Sequence, residues 1–249
     1  MTTKEFVVHA ITDMTAGNDI GGAIERHFAP DFVQHSPICP VGLDGLRATV
    51  QYARAIGGSY TALRVLGDGD WAVIHARKTG LTQSALVLFN IYRVADGKVA
   101  EHWEAIQSEP AEMVGGRTMV DGATEITDLD RTEDNRELVR GLIENVYIGG
   151  DRSALADHFD GDALIQHNPH LPDGVPALRD ALSDDPVAYV MLHRIIAEGN
   201  FVFTLSEGIK DGSTYVLYDM FRVADGKIVE HWDVVTELPA ELPHDNGVF

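Results

Sequence analysis

The sequence predicts two consecutive α+β domains that share one fold. Three observations support this: the chain repeats itself once, each copy begins with amphipathic helices, and each copy ends in strand-like segments separated by glycine-containing turns. A length of 249 residues fits one large or two small domains. The repeat decides in favour of two.

The repeat is clearest at residues 93–104 and 222–233, where nine of twelve residues are identical at an offset of 129. Two further pairs of segments align upstream: 32–37 with 164–169, and 63–70 with 193–200. Order and spacing are kept over about 100 residues, so the repeated unit is a whole domain and not a short solenoid repeat. With a linker at 121–130, the predicted domains are residues 1–122 and 130–249.

The elements of the second copy follow one another in a simple order. A helix is predicted at residues 135–147, where apolar residues recur with helical spacing. The other predicted elements are a short helix at 153–159, a short strand at 163–167, a helix at 175–182 and strands at 189–197, 201–209, 213–223 and 227–235. Helices followed by an antiparallel meander predict an α+β domain with its helices on one side.

The last hairpin can pair in two registers, and a shift of one residue exchanges the two faces. A two-residue turn would place Asp219 opposite Trp232. A three-residue turn with a bulge places Asp219 opposite His231, and we favour this register. One face then carries Leu217, Asp219, Phe221, Val229, His231, Asp233 and Val235. The equivalent residues of the first copy are Leu88, Asn90, Tyr92, Ala100, His102 and Glu104.

This face combines two carboxylates and an imidazole with apolar residues. Buried carboxylates must be paired, hydrogen-bonded or placed in a cavity. Burial would raise the pKa of Asp233 towards the range useful for acid–base catalysis, whereas His231 would lower it. In the first copy Asn90 stands where the second has Asp219, so the two pockets are predicted to differ chemically.

Four segments of the second copy carry a family resemblance: residues 166–169, 193–200, 219–222 and 225–233. Together they resemble the SnoaL-like proteins of the NTF2-like superfamily, which includes polyketide cyclases, ketosteroid isomerases, limonene epoxide hydrolases and scytalone dehydratases. The resemblance covers nearly all of the second copy and, more loosely, the first. It implies cone-shaped domains, each with a curved antiparallel sheet and helices enclosing a pocket.

The resemblance also implies a cofactor-free enzyme in which an aspartate on the last strands removes a proton next to a carbonyl group. The residues to which catalytic roles carry over are Asp233 as base, His167 and His231 as orienting or enolate-stabilising groups, and Asp219 as a second acid. Ligand contacts in the same pocket are predicted at His193, Phe221 and Asn168. The predicted first pocket contains His35, His75, Asn90, His102 and Glu104.

The sequence is also compatible with other functions. One is a small-molecule-binding module without catalysis, and another is water activation of the epoxide hydrolase type. The first pocket either binds a different ligand or is a structural remnant. His167 and His35 could instead bond the backbone near the following proline, and His231 and His102 could be structural partners of the residues across the hairpin.

Composition narrows the remaining function classes. There are 39 acidic and 19 basic residues, and the resulting charge of −20 disfavours nucleic acids and anionic membranes as partners. Cys39 is the single cysteine, and no metal or nucleotide motif is present, so neither metal nor cofactor is expected. The expected partner is a small molecule, the expected location is the cytoplasm, and the two domains could pair as an internal dimer with further association possible.

Overall fold

The computed structural model describes residues 1–184 and 187–249 and divides into two compact units. The first unit comprises Met1–Ser108 together with Pro239–Phe249, and the second comprises Glu109–Leu238. This grouping differs from the predicted division at residues 122 and 130, because residues 109–122 pack with the second unit and the C-terminal segment packs with the first. Within the described ranges, no helix is long and apolar enough to cross a membrane.

The first unit contains three helices and a five-stranded sheet. Its elements are α1 (Thr3–Ala16), α2 (Ile20–His27), β1 (Phe28–Gln34), α3 (Gly42–Ala55), β2 (Ser59–Asp68), β3 (Trp71–Thr79), β4 (Leu86–Ala95) and β5 (Lys98–Ser108). The strands are ordered β1-β5-β4-β3-β2, and β1 runs parallel to β5 while the other pairs are antiparallel. The sheet is therefore mixed, whereas the sequence predicted an antiparallel one.

The second unit repeats this arrangement. Its elements are α4 (Thr132–Gly141) continuing as a π-helical segment (Leu142–Ile148), α5 (Leu155–His158), β6 (Ile165–Gln166), α6 (Val175–Ala181), β7 (Ala188–Glu198), β8 (Phe201–Lys210), β9 (Ser213–Ala224) and β10 (Lys227–Glu237). The order is β6-β10-β9-β8-β7, with β6 parallel to β10. The four long strands lie within two residues of their predicted ends.

Each core lies between the helices and the inner face of the sheet. In the second unit Leu142, Ile143 and Val146 are fully buried and pack in one cluster with Val202 and Phe221. The helical residues recur with the spacing of one helix face, and the strand residues lie on one face of the sheet. Each element therefore buries one face. Polar residues on that inner face are therefore enclosed as well.

The hairpin between β9 and β10 has a two-residue turn and a bulge. Asp225 and Gly226 both adopt positive φ angles, 52° and 72°, as a tight hairpin turn of the primed type requires. The register then shifts between Ile228 and Glu230, so that Val229 is the extra residue. Both registers considered from the sequence are therefore wrong.

The predicted faces nevertheless hold for most of the hairpin. Asp219 lies opposite Asp233, and His231 lies opposite Phe221, two residues away from the favoured register. A shift of two residues preserves the face of every side chain. Only the assignment at the bulge changes: Ile228, and not Val229, lies on the inner face and packs in the core.

Two segments outside the repeated elements complete the units. In the first unit, His244 Nε2 lies 2.9 Å from the Ser36 carbonyl oxygen, and Asn246 Nδ2 donates to the Gln34 carbonyl oxygen at 2.9 Å. In the second unit, the Trp232 indole donates to the Asp121 carbonyl oxygen at 2.9 Å. These hydrogen bonds attach residues 239–249 to the first unit and the segment around Asp121 to the second.

Candidate active site

Three buried polar side chains meet on the inner face of the second sheet. Asp219 projects from β9, and His231 and Asp233 project from β10. One potential ligand atom from each lies within 4.8 Å of the others. We call these three residues the Asp-His-Asp cluster. The residues lie two apart on β10 and directly across on β9, so strand alternation alone brings them together.

Gln166 and Asp219 hold the imidazole of His231 from its two sides. Its Nδ1 is 2.9 Å from Gln166 Oε1, and its Nε2 is 3.0 Å from Asp219 Oδ1. Gln166 Oε1 also accepts the backbone N–H of Asn168 at 3.0 Å, which fixes the orientation of the amide and requires His231 Nδ1 to donate. Burial opposes the charged imidazole, but the hydrogen bond to Asp219 and the nearby carboxylates leave the pKa of His231 above its usual value.

Asp219 accepts from several neighbours. The hydroxyl of Tyr189 on β7 donates to its two oxygens at 3.0 and 3.1 Å, and Thr204 Oγ1 lies 3.5 Å away. Burial raises the pKa of Tyr189 well above its usual value, so this hydroxyl stays protonated and remains a donor. With His231 on the same carboxylate, both oxygens of Asp219 are occupied.

Asp233 is in a different situation. Its Oδ2 accepts from Asn168 Nδ2 at 2.6 Å, but its Oδ1 is buried with no hydrogen-bond partner in the described part of the chain. Asp233 is only 7% exposed. Burial raises the pKa of Asp233, and Asp219 adds to the increase while His231 and Asn168 oppose it. The result is a carboxyl group that holds a proton more tightly than an ordinary aspartate.

The first unit has a carboxylate at the matching position, but it is paired with a cation. Glu104 lies opposite Asn90, as Asp233 lies opposite Asp219. Its Oε2 is 2.8 Å from Lys78 Nζ, and its Oε1 accepts from Ser36 Oγ at 3.3 Å. Burial alone would raise the pKa of Glu104, but Lys78 and the other donors bring it below the usual value. Glu104 is thus stabilised as an anion.

The imidazole of the first unit is also in a different state. His102 Nδ1 is 2.9 Å from Gln34 Oε1, which also accepts the Ser36 backbone N–H. Its Nε2 is 2.9 Å from Asn90 Oδ1, and Asn90 Nδ2 donates to the Tyr60 hydroxyl at 3.2 Å. Asn90 supplies no negative charge, and burial lowers the pKa of His102 to about 4. At neutral pH this imidazole is uncharged.

A cavity of about 320 Å³ opens over these residues in the first unit. Its polar end contains Gln34, Tyr60, Lys78, Asn90, His102 and Glu104. This volume is within the range of pockets that bind small organic molecules. The matching position to Lys78 in the second unit is Gly208, because Tyr60 pairs with Lys78 across the strands as Tyr189 pairs with Gly208.

The Asp-His-Asp cluster could also be considered as a metal site, since it offers two carboxylates and an imidazole. Its chemistry favours a proton over a cation. His231 engages both ring nitrogens in hydrogen bonds, and its raised pKa favours a proton on the nitrogen that would have to bind the metal.

Comparison with known proteins agrees with this duplicated arrangement. The profile of the SnoaL-like domain matches the chain twice, at residues 8–102 and 139–231. The two matches together span most of the chain. The chain belongs to the SnoaL-like domain family. No curated protein sequence matches it.

Solved structures similar to this SnoaL-like protein each match about one unit. IdmH from Streptomyces antibioticus, a proposed polyketide cyclase, is 19% identical with a TM-score of 0.36, and the match covers 43% of this chain and 93% of IdmH. A proposed ketosteroid isomerase from Kribbella flavida is 17% identical with a TM-score of 0.40, covering 47% and 87%. TsrD from Streptomyces laurentii is 20% identical with a TM-score of 0.35, covering 41% and 86%.

Several predicted residues of the SnoaL-like units do lie together. In the second unit Asp219, His231 and Asp233 form the cluster, Asn168 contacts Asp233, and Phe221 stacks on His231 with ring centroids 4.7 Å apart. In the first unit the cavity lining includes the predicted residues Asn90, His102 and Glu104.

Two histidines predicted for the second pocket lie on the other side of its sheet. His167 stacks on Trp232 at 4.7 Å and contacts Glu230 Oε1 at 2.9 Å. It follows Gln166 on the chain, so it points to the opposite face and cannot orient the substrate as predicted. His193 contacts Glu207 at 3.1 Å, because a register shift at this point of β7 turns it outwards.

The same correction applies to two histidines of the first unit. His35 stacks on Trp103 at 4.3 Å and contacts Glu101 Oε2 at 3.0 Å. His75 lies opposite Phe89 and stacks on it at 4.4 Å. Neither residue lines the cavity.

Sequence reasoning missed other members of both sites. They are Gln34, Ser36, Cys39, Tyr60 and Lys78 in the first unit, and Gln166 and Thr204 in the second. Only the glutamines carried a usable signal, because Gln-His occurs in both copies and the glutamine is the residue whose strand position faces the pocket.

Proposed function

We propose that the second unit is a cofactor-independent enzyme site in which Asp233 transfers a proton at the carbon next to a carbonyl group. The substrate class is a small or polyketide-like carbonyl compound, and the reaction is of the aldol cyclase, isomerase or dehydratase type. The observation that carries this proposal is the state of Asp233: buried, raised in pKa and with one oxygen lacking a partner.

The chemistry of a carbon acid favours such a group. A base is most effective when its pKa approaches the working pH, and burial moves Asp233 in that direction. A buried acceptor that lacks a hydrogen-bond partner costs about 1–3 kcal/mol of folding free energy. A substrate that contacts Asp233 Oδ1 can recover this free energy on binding. Asn168 holds Oδ2, which leaves Oδ1 as the atom that takes the proton.

The neighbours of Asp233 then act as positioning and stabilising groups. His231 donates to Asp219, and its raised pKa favours the positively charged form of the imidazole beside the developing charge of the reaction. Asp219 and Tyr189 fix that imidazole and do not exchange protons with the substrate. Gln166 presents a buried Nε2 donor with no partner among the described residues, and we assign it to the substrate oxygen.

Deuterium exchange tests the base without knowledge of the product. Wild-type protein, Asp233→Asn and the control Asp225→Asn are incubated in D2O with a panel of small ketones, β-keto esters and a steroid enone, and deuterium at the α-carbon is followed by NMR. Asp225 lies in the exposed turn of the same hairpin, where asparagine also accepts positive φ, so the control makes the same chemical change away from the cluster.

We expect wild type and Asp225→Asn to accelerate exchange, and Asp233→Asn to lose roughly 100-fold or more of that acceleration. Exchange that survives in Asp233→Asn would exclude Asp233 as the base. If no ketone exchanges in any protein but wild type hydrates an epoxide, the same carboxyl group activates water instead.

A further inference from the structure

The first unit contains a cavity that the proposed reaction does not use. It lies between α1, α3 and the inner face of the sheet, and its volume is about 320 Å³. Most of its wall is aliphatic, formed by Ile11, Met14, Leu46, Val50, Ala53 and Leu81. A ligand there would bury an apolar body and turn one end to the polar residues of β3, β4 and β5.

The charges at the polar end satisfy each other. Lys78 and Glu104 are 2.8 Å apart, and Glu104 is only 4% exposed. His102 adds no charge at neutral pH, since burial lowers its pKa to about 4. Arg54 also borders the cavity, but it is exposed and its guanidinium donates to the Gly17 carbonyl oxygen. An ionic ligand would therefore have to separate a partly buried ion pair, in which Glu104 is almost fully enclosed and Lys78 is 22% exposed, and this is unfavourable.

One polar group at this end remains unsatisfied. Gln34 is 1% exposed, and its Oε1 is committed to the Ser36 backbone N–H and to His102. Its Nε2 is buried and has no hydrogen-bond partner within the described ranges. Because the oxygen fixes the amide orientation, the orphaned group is a donor. A ligand acceptor such as a carbonyl oxygen would accept a hydrogen bond from Gln34 Nε2.

We propose that the first unit is a second, independent binding site, selective for an uncharged apolar molecule that carries a carbonyl oxygen. The second unit differs at the decisive position. Where the first has Lys78, the second has Gly208, and a side chain there would meet Val187 and Leu217 at 2.6 and 2.7 Å. The ion pair that sets the selectivity is therefore a property of the first unit, and this site binds its ligand without removing a proton from it.

The test uses three probes with one carbon skeleton: 2-decalone, the decalin-2-carboxylate anion and the 2-aminodecalin cation. Binding is measured by calorimetry at neutral pH in the Asp233→Asn background, so that failure of the base in the second unit does not affect the result. We expect the ketone to bind about 100-fold more tightly than either ion. Equal affinity for all three probes would overturn the proposal.

The reactivity of Cys39 reports whether the ligand binds in this cavity. It is the single cysteine of the chain and borders the cavity, and burial raises its pKa to about 11, so its thiol reacts slowly. 2-Decalone should slow its modification by methyl methanethiosulfonate further, and Ala53→Trp, which fills the cavity, should abolish binding. Ketone binding without protection of Cys39 would place the ligand elsewhere.

Two reciprocal variants keep the proposal testable if Ala53→Trp does not fold. Lys78→Met leaves Glu104 without its cation, and we expect the preferred probe to become the amine. Glu104→Gln leaves Lys78 without its anion, and we expect the carboxylate to be preferred. An unchanged preference for the ketone in both variants would exclude the ion pair as the source of selectivity.

Discussion

Asp219 and Asp233 lie directly opposite each other on neighbouring strands, yet only one of them is satisfied by its surroundings. Asp219 receives hydrogen bonds from His231 and Tyr189, whereas Asp233 receives one bond from Asn168 and keeps Oδ1 without a partner. Two identical side chains at one cross-strand pair therefore have different chemistry. The difference is set by which neighbours reach them.

The first prediction concerns the pH dependence of the proposed reaction. The base must be ionised, and the pKa of Asp233 is raised, so activity should increase with pH through a midpoint above the usual aspartate value. Asn168 lowers that pKa by its hydrogen bond. Asn168→Ala should therefore move the midpoint of the kcat/KM profile to higher pH, in the direction opposite to a loss of burial. A midpoint that moves to lower pH would contradict the role given to Asn168.

The second prediction exchanges the residue that distinguishes the two imidazoles. Asn90→Asp gives His102 the carboxylate that His231 has, so its pKa should rise from about 4. Asp219→Asn removes that carboxylate from His231, so its pKa should fall below the wild-type value. Titration of the ring signals by two-dimensional NMR measures both changes. If neither imidazole responds, the cross-strand residue does not control its charge.

Much of this arrangement could be predicted from the sequence. The repeat located both units, and strand alternation placed Asp219, His231 and Asp233 on one face although the register was wrong. The bulge at Val229 has no simple sequence signature, and its effect on the register was therefore missed. Alternation also separates Gln166 from His167: the two are adjacent on the chain, so only one of them can face the pocket.

The remaining errors have a common physical origin. Tyr60 and Lys78 reach the first site through pairing between β2, β3 and β4, and register shifts in such pairs cannot be read from one strand alone. The C-terminal segment reaches the first unit through hydrogen bonds to residues some 200 positions earlier. Local sequence patterns carry no information about such a contact.

The third prediction is that acid weakens the first unit. The unfolded chain protonates His102 near pH 6.5, but the folded unit does not do so until about pH 4. The unfolded state therefore binds more protons between these values, and the free energy of unfolding should fall by up to about 3 kcal/mol as the pH drops through that interval. Glu104 acts in the same direction at lower pH, because its lowered pKa stabilises the fold only while it is ionised.

Urea titrations at several pH values, followed through NMR signals of β5 and β10, measure this loss for each unit. In the second unit the raised pKa of His231 gives the opposite sign, since its contribution is present at low pH and is lost as the pH rises through the folded value. Asn90→Asp should reduce the acid sensitivity of β5 and leave β10 unaffected. Equal acid sensitivity of the two strands would argue against the difference between the imidazoles.

The fourth prediction is that residues 239–249 stabilise the first unit and its cavity. The segment forms three hydrogen bonds around the end of β1, from His244 to the Ser36 carbonyl oxygen, from Asn246 to the Gln34 carbonyl oxygen, and between His35 Nδ1 and the Gly247 carbonyl oxygen. It also buries Val248, which is 5% exposed. Three hydrogen bonds of about 1 kcal/mol each and one buried valine of about 2 kcal/mol predict a loss of about 5 kcal/mol on deletion. The loop also carries Ser36, which contacts Glu104, so the deletion should weaken 2-decalone binding as well.

Single substitutions separate the two contributions of this segment. Val248→Ser should lower the free energy of unfolding of the first unit through lost apolar burial, and His244→Ala should do so through the lost contact with the Ser36 carbonyl oxygen. Asp245→Ala is the control, because Asp245 is exposed between them. Urea titration followed at β5 measures each change. A deletion that leaves β5 as stable as in the wild type would mean that the segment only covers the unit and does not hold its loop in place.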